Sequence, residues 1–133
     1  MTRKEISYKL RKCLETYARK TKKFKPDLGC MCAISSFVMH DIFREYGYKS
    51  EVWWGGVPDF GGFHCWVRSN GKNYDLTLTQ FKEKDKVVIS KDLRIEIIDP
   101  CRANLEDLIN WPDYQYPKAS VIKKIKKLFK ETK

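Results

Sequence analysis

Apolar residues recur at spacings of three and four along residues 3–22, where Ile6, Leu10, Cys13, Leu14 and Tyr17 share one face. That period predicts an amphipathic helix with a lysine-rich outer face. "KKFKPDLG" ends it, with Pro26 and Gly29 as the breaks. The same period returns from Cys32 to Tyr46 in Ile34, Phe37, Val38, Ile42 and Tyr46. Its apolar density predicts a central, largely buried helix, with Gly47 as its C-terminal cap. The pattern then changes to alternation. "SEVWWGGV", "GFHCWVRS" and "KNYDLTLT" read as strands, the last two joined by a hairpin turn at Asn70-Gly71. "KVVIS" and "LRIEIID" add two more. "CRANLEDLINW" reads as a short helix capped by Asn104 or Asp99, and "PDYQYPKA" as a loop. The tail "SVIKKIKKLFKETK" is helical from Ser120, with Val121, Ile122, Ile125, Leu128 and Phe129 on one face. The expected class is α+β, a central helix packed on an antiparallel sheet.

Two of these strands carry chemistry. His64 lies in "GFHCWVRS" and Asp75 in "KNYDLTLT", on either side of the turn. A carboxylate facing an imidazole fixes its tautomer and stabilises its charged form, which is the base half of a nucleophilic triad. The nucleophile belongs at a helix start, where unpaired N–H groups and the positive dipole end lower a thiol's pKa and bind an oxyanion. "LGCMCAISSF" offers Cys30 and Cys32 there. His40 follows Cys32 by eight residues, about two turns or about 12 Å along a helix, too far to serve the thiol.

The order Cys, His, Asp resembles the papain-like, transglutaminase-like superfamily of cysteine enzymes. The residues that carry the likeness are the Gly-x-x-Cys helix entry at Gly29–Cys32, "HCWV" on one strand and "YDLT" on the next. It covers roughly residues 28–81. The superfamily includes transglutaminases, leader peptidases of lasso-peptide biosynthesis and, more distantly, arylamine N-acetyltransferases. The resemblance implies a papain-like fold, with Cys32 as nucleophile because Gly47 follows it by 15 residues. It makes His64 the base and Asp75 the orienting acid. It also implies a second oxyanion donor that this chain does not supply in the usual place. The papain branch has a Gln shortly before the Cys, whereas the first Gln here is Gln80. Larger transglutaminases use an upstream Trp, whereas the first Trp here is Trp53. Trp53, Trp54, Gln80 and an N-terminal Tyr are the candidates.

Composition narrows the remaining choices. With 133 residues and 42% hydrophobic content the chain is expected to be one domain. Residues 1–27 form a basic N-terminal helix, 28–81 the catalytic core and 120–133 a basic C-terminal helix. No run of about 18 apolar residues exists to span a membrane. "MTRKEISYKLRK" lacks the apolar stretch of a secretory signal. Five cysteines, an odd number, favour reduced thiols and a cytoplasmic location over a disulfide framework.

Cys30, Cys32, His64 and Cys65 form a rival zinc set. His64 and Cys65 are consecutive in a strand and point to opposite faces, however, and C-x-C is not the usual zinc spacing. No metal and no cofactor are expected. The net charge of +10 is concentrated at the ends. Residues 1–27 hold 10 Lys/Arg against 3 Asp/Glu, residues 118–133 hold 7 against 1, and the middle is slightly acidic. Such ends suit a polyanionic partner without base-specific readout.

The expected activity is cysteine-dependent acyl transfer on a protein, peptide or small amide. Hydrolysis as a peptidase or amidase leads, and transfer to an amine, as by a transglutaminase, is second. The reading from another class is a catalytically idle binding module that holds a polyanion through its basic ends.

Overall fold

Thr2 opens the first helix. Its hydroxyl accepts from the Glu5 N–H at 3.1 Å while Glu5 Oε1 accepts from the Thr2 N–H at 2.9 Å, a reciprocal cap that satisfies two end groups. The structure is a computed structural model that describes residues 1–22, 25, 27–29, 31–109 and 119–132, the side chains of 108 and 109 excepted. Helix α1 is Arg3–Thr21 and α2 is Cys32–Glu45. The chain then forms strands β1 (Glu51–Gly56), β2 (Phe63–Ser69), β3 (Lys72–Asp75), β4 (Val88–Ser90) and β5 (Ile98–Arg102). Helices α3 (Leu105–Ile109) and α4 (Ala119–Glu131) complete it. The sheet is antiparallel at every pairing, in the order β4-β3-β2-β1-β5. The class is α+β, with α2 packed on β2 and with α1 and α4 packed on α2 and on each other.

The turn at Asn70-Gly71 has positive φ at both positions, 53° and 74°. That geometry matches the right-handed twist of the flanking strands and suits Asn and Gly. Gly47, at φ 84°, lies just past the end of α2 in the left-handed conformation expected of it. In α4, Ile122, Ile125 and Phe129 are buried, and Val121 and Leu128 pack against the same core. Burying three such side chains contributes about 1.5–3 kcal/mol each, which offsets the marginal stability of a helix this short in water. The Lys9 ammonium lies 4.3 Å from the centre of the Phe129 ring, so the two basic helices are direct neighbours.

Several expected elements differ. The third strand stops at Asp75; Leu78–Phe81 is a 3₁₀ turn instead. Residues 93–97 form no strand despite their alternation. The last strand is Ile98–Arg102, which adds to the free side of β1. Pro100 fits there because β5 is the edge of the sheet among the described residues. Asn104, not Asp99, caps α3, accepting from the Asp107 N–H at 2.8 Å. Ser120 lies inside α4, which begins at Ala119, rather than capping it. The loop expected at 112–119 falls outside the described residues except for Ala119. The glycines of "DFGGF" sit in a tight turn closed by Val57 N–H to Gly62 O at 3.0 Å and Gly61 N–H to Val57 O at 2.8 Å.

Arg11 points inward from α1 and is 4% exposed, although the outer face of this helix is basic. Its Nη1 donates to Leu76 O at 2.6 Å and to Thr79 Oγ1 at 3.0 Å, while Nε pairs with Glu15 at 3.2 Å. Thr79 Oγ1 in turn donates to Asp27 O at 2.9 Å. One buried guanidinium therefore ties the segment after β3 to the loop that leads into α2. Those are the two stretches that hold Asp75 and Cys32.

Candidate active site

Asp75 ends β3 where the chain leaves the sheet. Its Oδ1 accepts the Thr77 N–H at 3.1 Å, and its Oδ2 meets His64 Nε2 at 2.5 Å. His64 is fully buried and Asp75 nearly so. Trp66 stacks beside the imidazole with ring centres 6.2 Å apart, and Phe81 of the 3₁₀ turn meets it edge-on at 5.1 Å. Trp66 is itself fixed by its indole N–H donating to Asn73 Oδ1 at 3.0 Å. Water is thus excluded around a short charge-assisted bond.

Cys32 is the first residue of α2 and is 7% exposed. The paired part of β2 and β3 runs from Ser69↔Lys72 to Val67↔Tyr74, so His64 and Cys65 have no partner in β3. Cys32 occupies that open side. It contacts the His64 ring, the Cys65 backbone N–H and the Cys65 thiol. Since Asp75 holds Nε2, Nδ1 is the nitrogen left for Cys32. It is buried and makes no aligned hydrogen bond among the described residues.

The electrostatics arise from these contacts. Burial pushes the His64 pKa down, but the Asp75 charge and hydrogen bond, with the Cys32 sulfur, raise it from 6.5 to about 10. The Cys32 thiol is held well below 9.0, chiefly because the Cys65 thiol donates to its sulfur, against burial and with help from His64. Cys65 is pushed well above 9.0 by the same contact and by burial. Cys32 is the member of the thiol pair that ionises, because it alone touches the imidazolium and heads a helix. These directions favour a thiolate–imidazolium pair supported by a carboxylate.

Cys32, His64 and Asp75 are brought together. Register places Trp54 opposite Cys65 and Trp53 opposite Trp66, so Trp53 lies on the sheet face of His64 and Trp66, where its buried indole N–H makes no hydrogen bond among the described residues. Its ring is covered by Arg68 at 5.0 Å. Gln80 spends its amide N–H on Thr77 Oγ1 at 3.3 Å. The start of α2 places its first backbone N–H groups beside Cys32. Trp54 does share the Cys65 face. With Phe63, Gly56, Ile98 and Cys101 it lines a shallow cavity of about 190 Å³. Larger grooves lie elsewhere, including one of about 730 Å³ lined by Lys4, Lys72, Lys84, Lys86 and Arg94. His40 is engaged with Ser50 Oγ at 2.6 Å.

Cys30 lies outside the described residues. Among the described residues no group of three or more His, Cys, Asp or Glu is arranged to hold a metal ion, and no helix is long and apolar enough to cross a membrane. The role of Cys65 as a thiol partner of Cys32 was missed. Its signal was strand alternation, which puts it with Val67 on the face that α2 covers.

A family model described as "YunG protein" matches residues 3–126, nearly the whole chain. The chain belongs to the YunG family. No curated protein and no solved structure matches it. For this YunG-family chain the chemistry rests on the geometry of the site.

Proposed function

We propose that the protein is a papain-like, transglutaminase-like cysteine enzyme that transfers an acyl group through Cys32. The observation that carries this reading is the Cys32–His64–Asp75 arrangement, with one imidazole nitrogen bound to a carboxylate and the other left for a thiol at a helix start. The Cys32 thiolate attacks an amide or ester carbonyl and forms an acyl-thioester. His64 gives its proton to the leaving group, while Asp75 keeps the ring oriented. Water then resolves the acyl-enzyme, or an amine does in the transferase variant. Hydrolysis remains the leading form, and a peptide or small amide the substrate.

The test is direct. p-Nitrophenyl acetate should give a burst of nitrophenol and leave acetyl on Cys32, located by peptide mass spectrometry. Adding a primary amine then separates transfer from hydrolysis by the product formed. Acetyl found only on other side chains would remove the enzymatic reading.

The contact between α1 and α4 favours an added role for the basic ends. Lys4, Lys12, Arg19, Lys123, Lys124 and Lys127 are exposed on two helices that touch, cationic side chains available to a polyanion. Binding of an arbitrary single-stranded oligonucleotide should weaken at least about tenfold between 50 and 200 mM salt. Gln replacements at Lys123, Lys124 and Lys127 should weaken it further while leaving Cys32 reactivity unchanged. No binding at low salt would reduce the charge to a solubility feature.

A further inference from the structure

Cys65 is the buried nucleophilic group that acyl transfer does not use. It faces α2 from β2, sits in the same core cluster as Cys32, and its S–H reaches the Cys32 sulfur. Its partner Cys32 touches the His64 ring, which Asp75 holds from its other side, and the contacts with Cys65 and His64 favour its thiolate. A thiolate is the form that peroxides oxidise, and a second thiol in contact decides the fate of the oxidised sulfur. Without one, a sulfenic acid proceeds to irreversible sulfinic acid. With one, it condenses to a disulfide.

We propose that Cys32 and Cys65 form a thiol–disulfide modification site, with Cys32 as the peroxide-reactive sulfur and Cys65 as the resolving thiol. The co-reactant is a hydroperoxide. The Cys32 thiolate attacks one peroxide oxygen and the O–O bond breaks. With one proton taken up, hydrogen peroxide yields Cys32–SOH and water. The Cys65 sulfur then attacks the Cys32 sulfur, the S–O bond breaks, and its thiol proton leaves with the hydroxyl as a second water. Two electrons pass from the two thiols to one peroxide. The product blocks the nucleophile and is restored by thiol exchange. Burial of both sulfurs slows entry of bulky oxidants but not of a molecule the size of hydrogen peroxide. The other described thiols are placed differently. Cys13 lies in α1, and Cys101 lies in β5, separated from Cys65 by β1. This inference rests on the thiol contact and stands whether or not the site transfers acyl groups.

The experiment uses the full chain, reduced and then treated with one to five equivalents of hydrogen peroxide. Two of the five thiols should be lost together, and non-reducing peptide mapping should show a Cys32–Cys65 linkage. Fragmentation must place the bond on Cys32 rather than Cys30, which shares its tryptic peptide. Iodoacetamide labelling of Cys32 should fall at least tenfold and return with dithiothreitol. In Cys65→Ala, oxidised Cys32 should carry sulfinic acid that dithiothreitol does not reverse. A linkage of Cys32 to another cysteine, or sulfinic acid as the main product in the unmodified sequence, would overturn the proposal. The mapping on the wild-type chain decides it even where the variant fails to fold.

Discussion

Cys32 should be alkylated by iodoacetamide at pH 6 at least about tenfold faster than Cys101, although Cys101 is exposed and Cys32 is buried. An ordinary thiol with a pKa near 8.5 is only roughly 0.3% thiolate at that pH. A thiol held well below its usual value, chiefly by Cys65 and with help from His64, carries a much larger thiolate fraction. Its lower intrinsic nucleophilicity and its burial take back part of the gain. His64→Ala removes the positive charge, so the pH midpoint of labelling should move up towards that of a free thiol. Acyl transfer to Cys32 should fall by about 10³-fold or more in His64→Ala and vanish in Cys32→Ala. A rate for Cys32 no greater than that of Cys101, unchanged by His64→Ala, would remove the ion pair from the account.

The second large effect belongs to Asp75. Asp75→Asn keeps the shape but loses the charge that stabilises the imidazolium, so acyl transfer should drop by about 10²–10⁴-fold with the fold retained. The same variant tests the stability linkage. His64 has a folded pKa of about 10, above its ordinary 6.5. Its contribution to stability is therefore fully present below about pH 6.5 and is lost as pH rises through about 10. Cys32, with a depressed pKa, contributes in the opposite sense: its share is present above the ordinary thiol pKa and is lost as pH falls through the folded value. Denaturant melts at pH 8 and pH 10.5 should show a larger alkaline loss in wild type than in Asp75→Asn. Lysine and tyrosine titration is common to both proteins and cancels. Parallel loss in the two would mean that Asp75 does not set the charge state of His64.

The acid–base half of the site was legible because it is local. Asn70-Gly71 forces a hairpin, the hairpin sets His64 and Asp75 on neighbouring strands, and alternation puts both on one face. Placing Cys32 at the head of α2 needed the helical period and the likeness to other cysteine enzymes. The oxyanion candidates were not legible in the same way. Trp53 and Trp54 are adjacent in sequence, so alternation puts them on opposite faces, but only their register with Trp66 and Cys65 decides which face each takes.

By itself the sequence determined the helices whose apolar stripes must be buried, the Asn-Gly turn and the presence of a Cys–His–Asp set. The helices and the turn are set by residues within a few positions of one another, through backbone sterics or a repeating period, and the set by its order along the chain. Only the tertiary structure decided that β3 ends at Asp75, that β5 pairs with β1, and that Arg11 turns inward to tie Leu76 and Thr79 to α1. It alone brought the Cys65 thiol to Cys32 across the open side of β2. Those outcomes depend on which strand edge is free and which buried carbonyl needs a donor. Such demands arise only once distant parts of the chain are packed together.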